Sequence, residues 1–158
     1  MQWLADLYRE NRPQLFLIAW GILREQGLAE DAVHAAFVRL AQLPQPPGEP
    51  RPYAFKAVRN AAISLLSAQA RRREQPIEMA ADPVAPVADT PDVQLLEAVR
   101  QAIEQLDEES REVVELHLQA RLAFQEIADL RSEPLSTVAS RYRRAVGKIR
   151  QKVEVRNG

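Results

Sequence analysis

Residues 134–152 read PLSTVASRYRRAVGKIRQK, and this stretch decides the fold of the C-terminal half of the chain. At 3.6 residues per turn, its apolar residues collect on one side and its polar and basic residues on the other. The apolar side comprises Leu135, Val138, Tyr142, Ala145, Val146 and Ile149. The opposite side comprises Ser136, Ala139, Ser140, Arg143, Arg144 and Lys148. We predict a helix that packs through one face and presents the other to an anion.

The residues just before this helix favour a nucleic-acid role for it. A charged helix face is usually only a solvated face. Here, however, residues 124–130 have the pattern of a short amphipathic helix, and Arg-Ser-Glu-Pro at 131–134 is a tight break whose Pro134 suits the first turn of the next helix. Two helices joined by so short a turn predict a helix-turn-helix with a recognition helix for the major groove. Residues 139–158 contain seven basic residues and one acid, a local charge of +6.

Composition limits the remaining functions. The chain has 158 residues, 46% of them hydrophobic, a net charge of −1 and no cysteine, which excludes disulfides and thiolate metal sites. The longest apolar run, 15–23, is shorter than the ~20 residues that span a bilayer, so we expect no membrane insertion and a cytoplasmic protein. His34 and His117 lack partners at metal-ligand spacing, and the sequence contains no phosphate-binding glycine loop or nucleophile motif. We expect neither a cofactor nor an enzyme.

The N-terminal half has a helical pattern with several expected interruptions. Apolar residues at helical spacing begin at Trp3, Asn11-Arg12-Pro13 is expected to break and restart the helix, and Gln26-Gly27 to end it. A third helix is expected from about residue 29 to residue 40. The proline-rich segment 43–52 predicts a rigid extended loop, and 53–73 predicts one long helix. Residues 51–73 hold six basic residues and no acid, a second +6 cluster.

A change of composition divides the chain. Residues 74–92 are rich in proline, small residues and acids, with no Lys or Arg, and predict a flexible acidic linker with a reach of up to ~60 Å. Two more amphipathic helices are expected over 93–106 and 108–118. We therefore predict an all-α chain of two small helical domains, 1–75 and 93–158, joined by a linker over 76–92.

Several motifs, in this order, resemble the sigma-factor family of bacterial RNA polymerase, and within it the two-domain extracytoplasmic-function group. They are Glu30-Asp31-Ala32-Val33 with Phe37, Arg59-Asn60 before Arg71-Arg72-Arg73, Glu126-Ile127-Ala128, Pro134, and Thr137-Val138-Ala139-Ser140-Arg141. The resemblance covers about residues 2–75 for sigma-2 and 93–152 for sigma-4. It implies that sigma-2 melts the minus-ten promoter element and sigma-4 reads the minus-thirty-five element.

The resemblance also implies roles for individual residues. Tyr53 stands where the family usually has tryptophan, beside a pocket for a flipped base, and an aromatic ring there can stack on that base. Arg51, Lys56, Arg59 and Asn60 would contact phosphates and base edges. In sigma-4, Ser140, Arg143 and Arg144 would face bases, while Arg141, Lys148 and Arg150 would touch phosphates. Ser136 and Thr137 would cap the turn or bind phosphate, and for Ser132 capping is preferred.

The partners implied are core polymerase, promoter DNA and an anti-sigma factor. Asp31, His34 and Arg39 are the candidate polymerase contacts. The family usually continues Asp-Ala-Val with a glutamine and an acid, and His34-Ala35-Ala36 replaces them here, which thins the polar docking surface. Two alternatives therefore stay open: a sigma-like decoy that binds an anti-sigma factor, and a simple helix-turn-helix regulator that uses only the C-terminal half.

Overall fold

The structure is a computed structural model that describes residues 2–72 and 91–157, and every regular element in these ranges is an α-helix. The predicted all-α fold is confirmed. The linker expected over 76–92 lies outside the described residues up to residue 90. The helices are α1 (Gln2–Leu23), α2 (Gln26–Ala41), α3 (Pro50–Arg72), α4 (Pro91–Glu104), α5 (Glu108–Leu118), α6 (Phe124–Arg131) and α7 (Leu135–Asn157).

Helices α1, α2 and α3 pack against one another, and α7 packs against α4, α5 and α6. On α7, Val138 and Ala145 are buried, and Tyr142 and Ile149 are partly buried against the core. Leu135 was expected on the same side but is 45% exposed, because it stands at the first residue of the helix, beyond the packed layer. The apolar stripe predicted from the sequence therefore packs against the core from the second turn of α7 onward.

The two halves share one buried core. Helix α1 contacts α5, and α3 contacts α6. Leu15 and Val58 of the N-terminal half belong to the same cluster of buried residues as Val113, Leu122 and Ile127 of the C-terminal half. The two basic clusters are consequently carried by halves that touch, although the length of the linker would allow them to lie far apart.

The expected break at Pro13 is wrong, because α1 continues through it. Proline removes one backbone donor, which usually weakens a helix by about 3 kcal/mol. Leu7 and Leu15 are buried on either side of Pro13, so packing holds both segments in line. The side-chain amide of Asn11 also donates a hydrogen bond to the carbonyl of Leu7 at 3.0 Å.

Two helix starts also differ from expectation. Helix α2 begins at Gln26, because the chain turns earlier, at Arg24, whose φ of 56° is left-handed. Gly27 therefore lies in the first turn of α2 and does not end a helix. Helix α3 begins at Pro50, inside the segment expected to be extended, because proline is tolerated in a first turn where no backbone donor is needed. No helix in the described ranges is both long enough and apolar enough to cross a membrane.

Candidate nucleic-acid interface

The exposed face of α7 forms a shallow cavity of about 510 Å³. Its lining consists of Ser136, Thr137, Ser140, Arg143 and Arg144. Neither arginine has an ion pair or hydrogen bond with any residue in the ranges 2–72 and 91–157. Hydroxyl and guanidinium groups that point outward from one depression can donate to base edges and phosphates. The structure thus brings together five of the eight residues predicted to contact DNA in sigma-4.

A tight turn positions this face. Ser132 ends α6 with left-handed backbone angles, φ 55° and ψ 45°, and the backbone N–H of Glu133 donates to the carbonyl of Ala128 at 2.9 Å. Ser132 thus closes the turn through its backbone conformation. Helix α7 then begins three residues after the end of α6, which is the spacing of a helix-turn-helix.

Arg141 stabilises the turn through ion pairs of its largely buried side chain. Its side chain is 17% exposed and pairs with Glu133 at 2.6 Å and with Glu109 at 3.3 Å. Arg131 pairs with Glu133 at 3.1 Å from the other side. Burial acts to raise the pKa of Glu133, but the hydrogen bonds and charges of Arg131 and Arg141 outweigh it and lower that pKa below its ordinary value. Of the three remaining predicted residues, Lys148 and Arg150 are exposed, whereas Arg141 is committed to this network.

A second candidate surface lies at the start of α3. Here the proline-rich segment and α3 line a cavity of about 510 Å³ that contains Tyr53 and Lys56. Tyr53 is 47% exposed, so its ring is accessible, while Phe55 is 2% exposed and serves the core. Asn60 is exposed further along α3. An accessible aromatic ring beside a lysine can stack on an unpaired base and contact its phosphate.

The two arginines predicted for this surface are occupied by carboxylates of the C-terminal half. Arg51 pairs with Glu126 of α6, and its guanidinium lies 4.8 Å from the centre of the Phe55 ring. Arg59 donates two hydrogen bonds to Glu112 of α5, at 3.0 and 3.1 Å. While these pairs persist, the guanidinium donors that bind Glu126 and Glu112 are not available to DNA.

A third contact between the halves surrounds Arg24, which sequence reasoning did not single out. Arg24 pairs with the buried Glu115 and, at 3.5 Å, with Glu104. Burial raises the pKa of Glu115 above its ordinary value, while the nearby charges of Arg24 and Arg111 act in the opposite direction.

The acids at this interface were also missed, although the sequence carries a signal for them. Residues 104–129 contain eight acids against two basic residues, a local charge of −6. That charge is equal and opposite to the +6 of residues 51–73. Opposite charges of this size on two halves of one chain favour contact between them.

The candidate polymerase contacts lie on α2. Asp31 and His34 line a groove of about 1020 Å³ between α1 and α2, together with Tyr8 and Phe37, whose rings meet edge to face at 5.3 Å. Arg39 is exposed further along α2. The expectation of a surface thinned over His34-Ala35-Ala36 is wrong for Ala36, because this residue is fully buried and faces the core.

No cluster of three or more metal-ligating side chains exists among the residues that the structure describes. His117 lies in an aromatic cluster, stacked on Phe124 at 4.4 Å and edge to face with Tyr142 at 4.8 Å. Its Nδ1 is 2.9 Å from the carbonyl oxygen of Leu122. The cluster joins α5, α6 and α7, so it holds the helix-turn-helix together.

Comparison with known families identifies the family of the chain. The family model for Sigma-70 region 2 matches residues 7–72, and the model for Sigma-70 region 4 matches residues 96–149. The chain belongs to the sigma-70 family of RNA polymerase sigma factors. Its pairing of region 2 with this type of region 4 is that of the extracytoplasmic-function group. It directs core RNA polymerase to specific promoters for transcription initiation, and its partners are core polymerase and promoter DNA.

One solved structure similar to this sigma factor is the co-crystal structure of the sigma factor RpoE in complex with the anti-sigma factor NepR from Bartonella quintana. The TM-score is 0.71 at 18% sequence identity, over 98% of this chain and 99% of that chain. At this identity the similarity concerns the fold. No curated protein is significantly similar to this sigma factor in sequence.

Proposed function

We propose that this sigma factor divides promoter recognition between the exposed face of α7 and the start of α3. The upstream element is read in its major groove by Ser140, Arg143 and Arg144, while Lys148 contacts phosphates. One observation carries this assignment: Arg143 and Arg144 point outward without an ion-pair partner in the described residues, whereas Arg131 and Arg141 of the same turn are committed to Glu133. A guanidinium without a carboxylate partner keeps its donors available for guanine O6 and N7.

At the minus-ten element, we assign to Tyr53 the stacking of an unpaired base. Its 47% exposure and its position in the cavity at the start of α3 support this role. Lys56 and Asn60 are exposed on the same helix and contact the strand backbone. We assign Arg51 and Arg59 to the same strand once their pairs with Glu126 and Glu112 have opened.

We assign polymerase binding to the groove between α1 and α2, with Asp31, His34 and Arg39 at or near it. The lining of this groove includes apolar residues, the carboxylates of Glu30 and Asp31, the imidazole of His34 and one guanidinium, that of Arg12. Such a groove suits a helical partner that carries apolar and mainly basic residues. The similar RpoE is crystallised with an anti-sigma factor, and we propose a partner of that class for this chain as well. We propose that the protein acts in the cytoplasm, together with core polymerase and promoter DNA. We assign it no catalytic activity, because recognition and melting require only binding energy.

Run-off transcription tests the proposal. Core polymerase is incubated with the chain and a library of linear promoter templates, and transcripts are sequenced at their starts. We expect transcripts that share an upstream and a minus-ten element. An Asp31→Ala/His34→Ala variant is expected to bind core polymerase more weakly, with Glu97→Ala as the control on another surface. A chain that binds an anti-sigma factor but yields no transcript from any template would instead be a decoy.

The simple helix-turn-helix alternative uses only the C-terminal half. It predicts that a chain without residues 1–75 keeps specific duplex binding and all function. The match of region 2 to residues 7–72 favours the sigma reading, under which this deletion abolishes promoter opening.

A further inference from the structure

We infer that region 4 closes over the DNA-binding side of region 2 and inhibits it within the same chain. This inference rests on the proposed function. We name the residues Arg51, Tyr53, Lys56 and Arg59 the promoter face, and the residues Glu112, Glu126 and Asp129 the acidic face. In the closed form, carboxylates of the acidic face take the places of promoter phosphates on the promoter face.

The ion pairs between residues 2–72 and 91–157 all have the same polarity. Each arginine comes from the N-terminal half and each carboxylate from the C-terminal half. The pairs are Arg24 with Glu104 and Glu115, Arg51 with Glu126, and Arg59 with Glu112. Two of these three arginines belong to the promoter face. A DNA strand and the acidic face therefore compete for the same guanidinium groups.

The aromatic pocket is bordered by the same helix. The cavity that contains Tyr53 and Lys56 is lined on its other side by Glu126, Asp129 and Leu130 of α6. A nucleotide stacked on Tyr53 would bring its phosphates close to two carboxylates, and like charges at short range repel. In this position, helix α6 therefore disfavours the binding of a single strand, although the ring of Tyr53 itself is accessible.

Glu126 is fixed in its inhibiting position by its own helix. Its Oε1 accepts a hydrogen bond from the backbone N–H of Ala123 at 3.1 Å, at the start of α6, while its Oε2 binds Arg51. A carboxylate held at a helix N-terminus is also stabilised by the helix dipole. The side chain of Glu126 is therefore already ordered by its own helix, and it loses little conformational freedom when it pairs with Arg51.

The closed form leaves the reading face of α7 exposed. Ser140, Arg143 and Arg144 are exposed in the same structure in which Arg51 and Arg59 are paired. Closure should consequently inhibit the binding of single-stranded DNA selectively. The affinity for duplex upstream DNA should change much less when the acidic face is neutralised.

The test neutralises the acidic face and measures binding of single-stranded DNA to the isolated full chain. The variant is Glu112→Gln/Glu126→Gln. The control is Glu10→Gln/Glu154→Gln, which changes the net charge equally. Glu10 is exposed on α1 and Glu154 is exposed on α7, and neither takes part in an ion pair between the described residues of the two halves. The probe is a fluorescein-labelled thymidine oligonucleotide followed by anisotropy.

We expect the acidic-face variant to bind the oligonucleotide about fivefold to thirtyfold more tightly than the control, since two partly exposed ion pairs no longer favour closure. Equal affinity of the two variants would overturn the inference. An equal gain in affinity for duplex DNA would also overturn the inference. The gain would then come from reduced overall charge repulsion and not from release of the site for single-stranded DNA.

A second measurement follows closure without DNA. The chain contains no cysteine, so dyes can be placed through Ser64→Cys on α3 and Gln119→Cys beside α5, both exposed. Energy transfer between them should fall when the acidic face is neutralised and when core polymerase is added. Unchanged transfer in both cases would overturn the inference.

Run-off transcription by the same variants separates the failure of this inference from the failure of the proposed function. If the variants support transcription but closure does not change, the inference fails and the proposed function stands. If no form supports transcription, the wild-type chain included, the proposed function itself is contradicted.

Discussion

Glu112 of α5 binds Arg59 of α3 and Arg131 of α6 through the same carboxylate oxygen. Arg59 belongs to region 2, whereas Arg131 immediately precedes the turn before the recognition helix. One side chain therefore links the contact between the regions to the support of the helix-turn-helix.

This double role predicts that replacing Glu112 lowers the free energy of unfolding more than replacing Arg59 does. Glu112→Ala leaves Arg131, which is 8% exposed, with Glu133 alone, and should destabilise the chain by about 1 to 3 kcal/mol. Arg59→Ala removes only the contact between regions and should cost less than about 1 kcal/mol. Urea denaturation followed by circular dichroism measures both. Equal losses would show that Glu112 does not support the turn.

On α7, two neighbouring basic residues should differ in what they contribute to DNA binding. Arg144→Ala should lower the preference for the upstream element by about 1 to 3 kcal/mol, because a guanidinium that reads a base is lost. Lys148→Ala should weaken binding to every duplex alike and reduce the salt slope by about 1, because only a phosphate contact is lost. Anisotropy on specific and scrambled duplexes at several salt concentrations distinguishes them. Equal losses on both duplexes for both variants would contradict the assignment.

The sequence predicts the helices and the exposed face of α7 well, because both depend on periodicity and local turn chemistry. Residues 108–118 and the turn at 131–134 are cases in which the pattern and the structure agree. Pro13 shows the limit of local rules, since burial of Leu7 and Leu15 overrides the expected break. The pairs of Arg51 and Arg59 could not be predicted from motifs, because their partners lie 75 and 53 residues away in the chain.

Tyr53 should matter for strand opening and little for stability. Tyr53→Ala removes a ring that is 47% exposed, so the free energy of unfolding should change little, whereas the stacking on an unpaired base should fall by about 1 to 3 kcal/mol. Promoter opening by the complex with core polymerase is followed with a 2-aminopurine probe in the minus-ten element. Tyr53→Phe serves as control and should open the promoter normally. Normal opening by Tyr53→Ala would exclude the stacking role.

Ser132 is a position at which a substitution should stabilise the fold. Its φ of 55° is left-handed, a conformation that costs an L-residue about 1 kcal/mol and glycine almost nothing. Ser132→Gly should therefore raise the free energy of unfolding by up to about 1 kcal/mol. Ser132→Ala is the control and should give no gain in urea denaturation; an equal gain would mean that backbone strain is not the cause.

Asp107 should make α5 sensitive to acid. Its carboxylate accepts a hydrogen bond from the backbone N–H of Ser110 at 3.2 Å, and this bond lowers the pKa of Asp107 below its ordinary value. A carboxyl whose folded-state pKa is lowered stabilises the fold above its unfolded-state pKa of about 3.9, and this contribution disappears as the pH falls through the lowered value. Asp107→Ala should cost about 1 kcal/mol at pH 7, the usual loss for a helix cap, and progressively less as the pH falls through the lowered pKa of Asp107. Asp107→Asn keeps the acceptor without the titration, so the cap of that variant should not weaken in acid. Urea denaturation of the three chains across this pH range measures the difference, and a loss in Asp107→Ala that did not shrink in acid would show that the carboxylate is not the stabilising species.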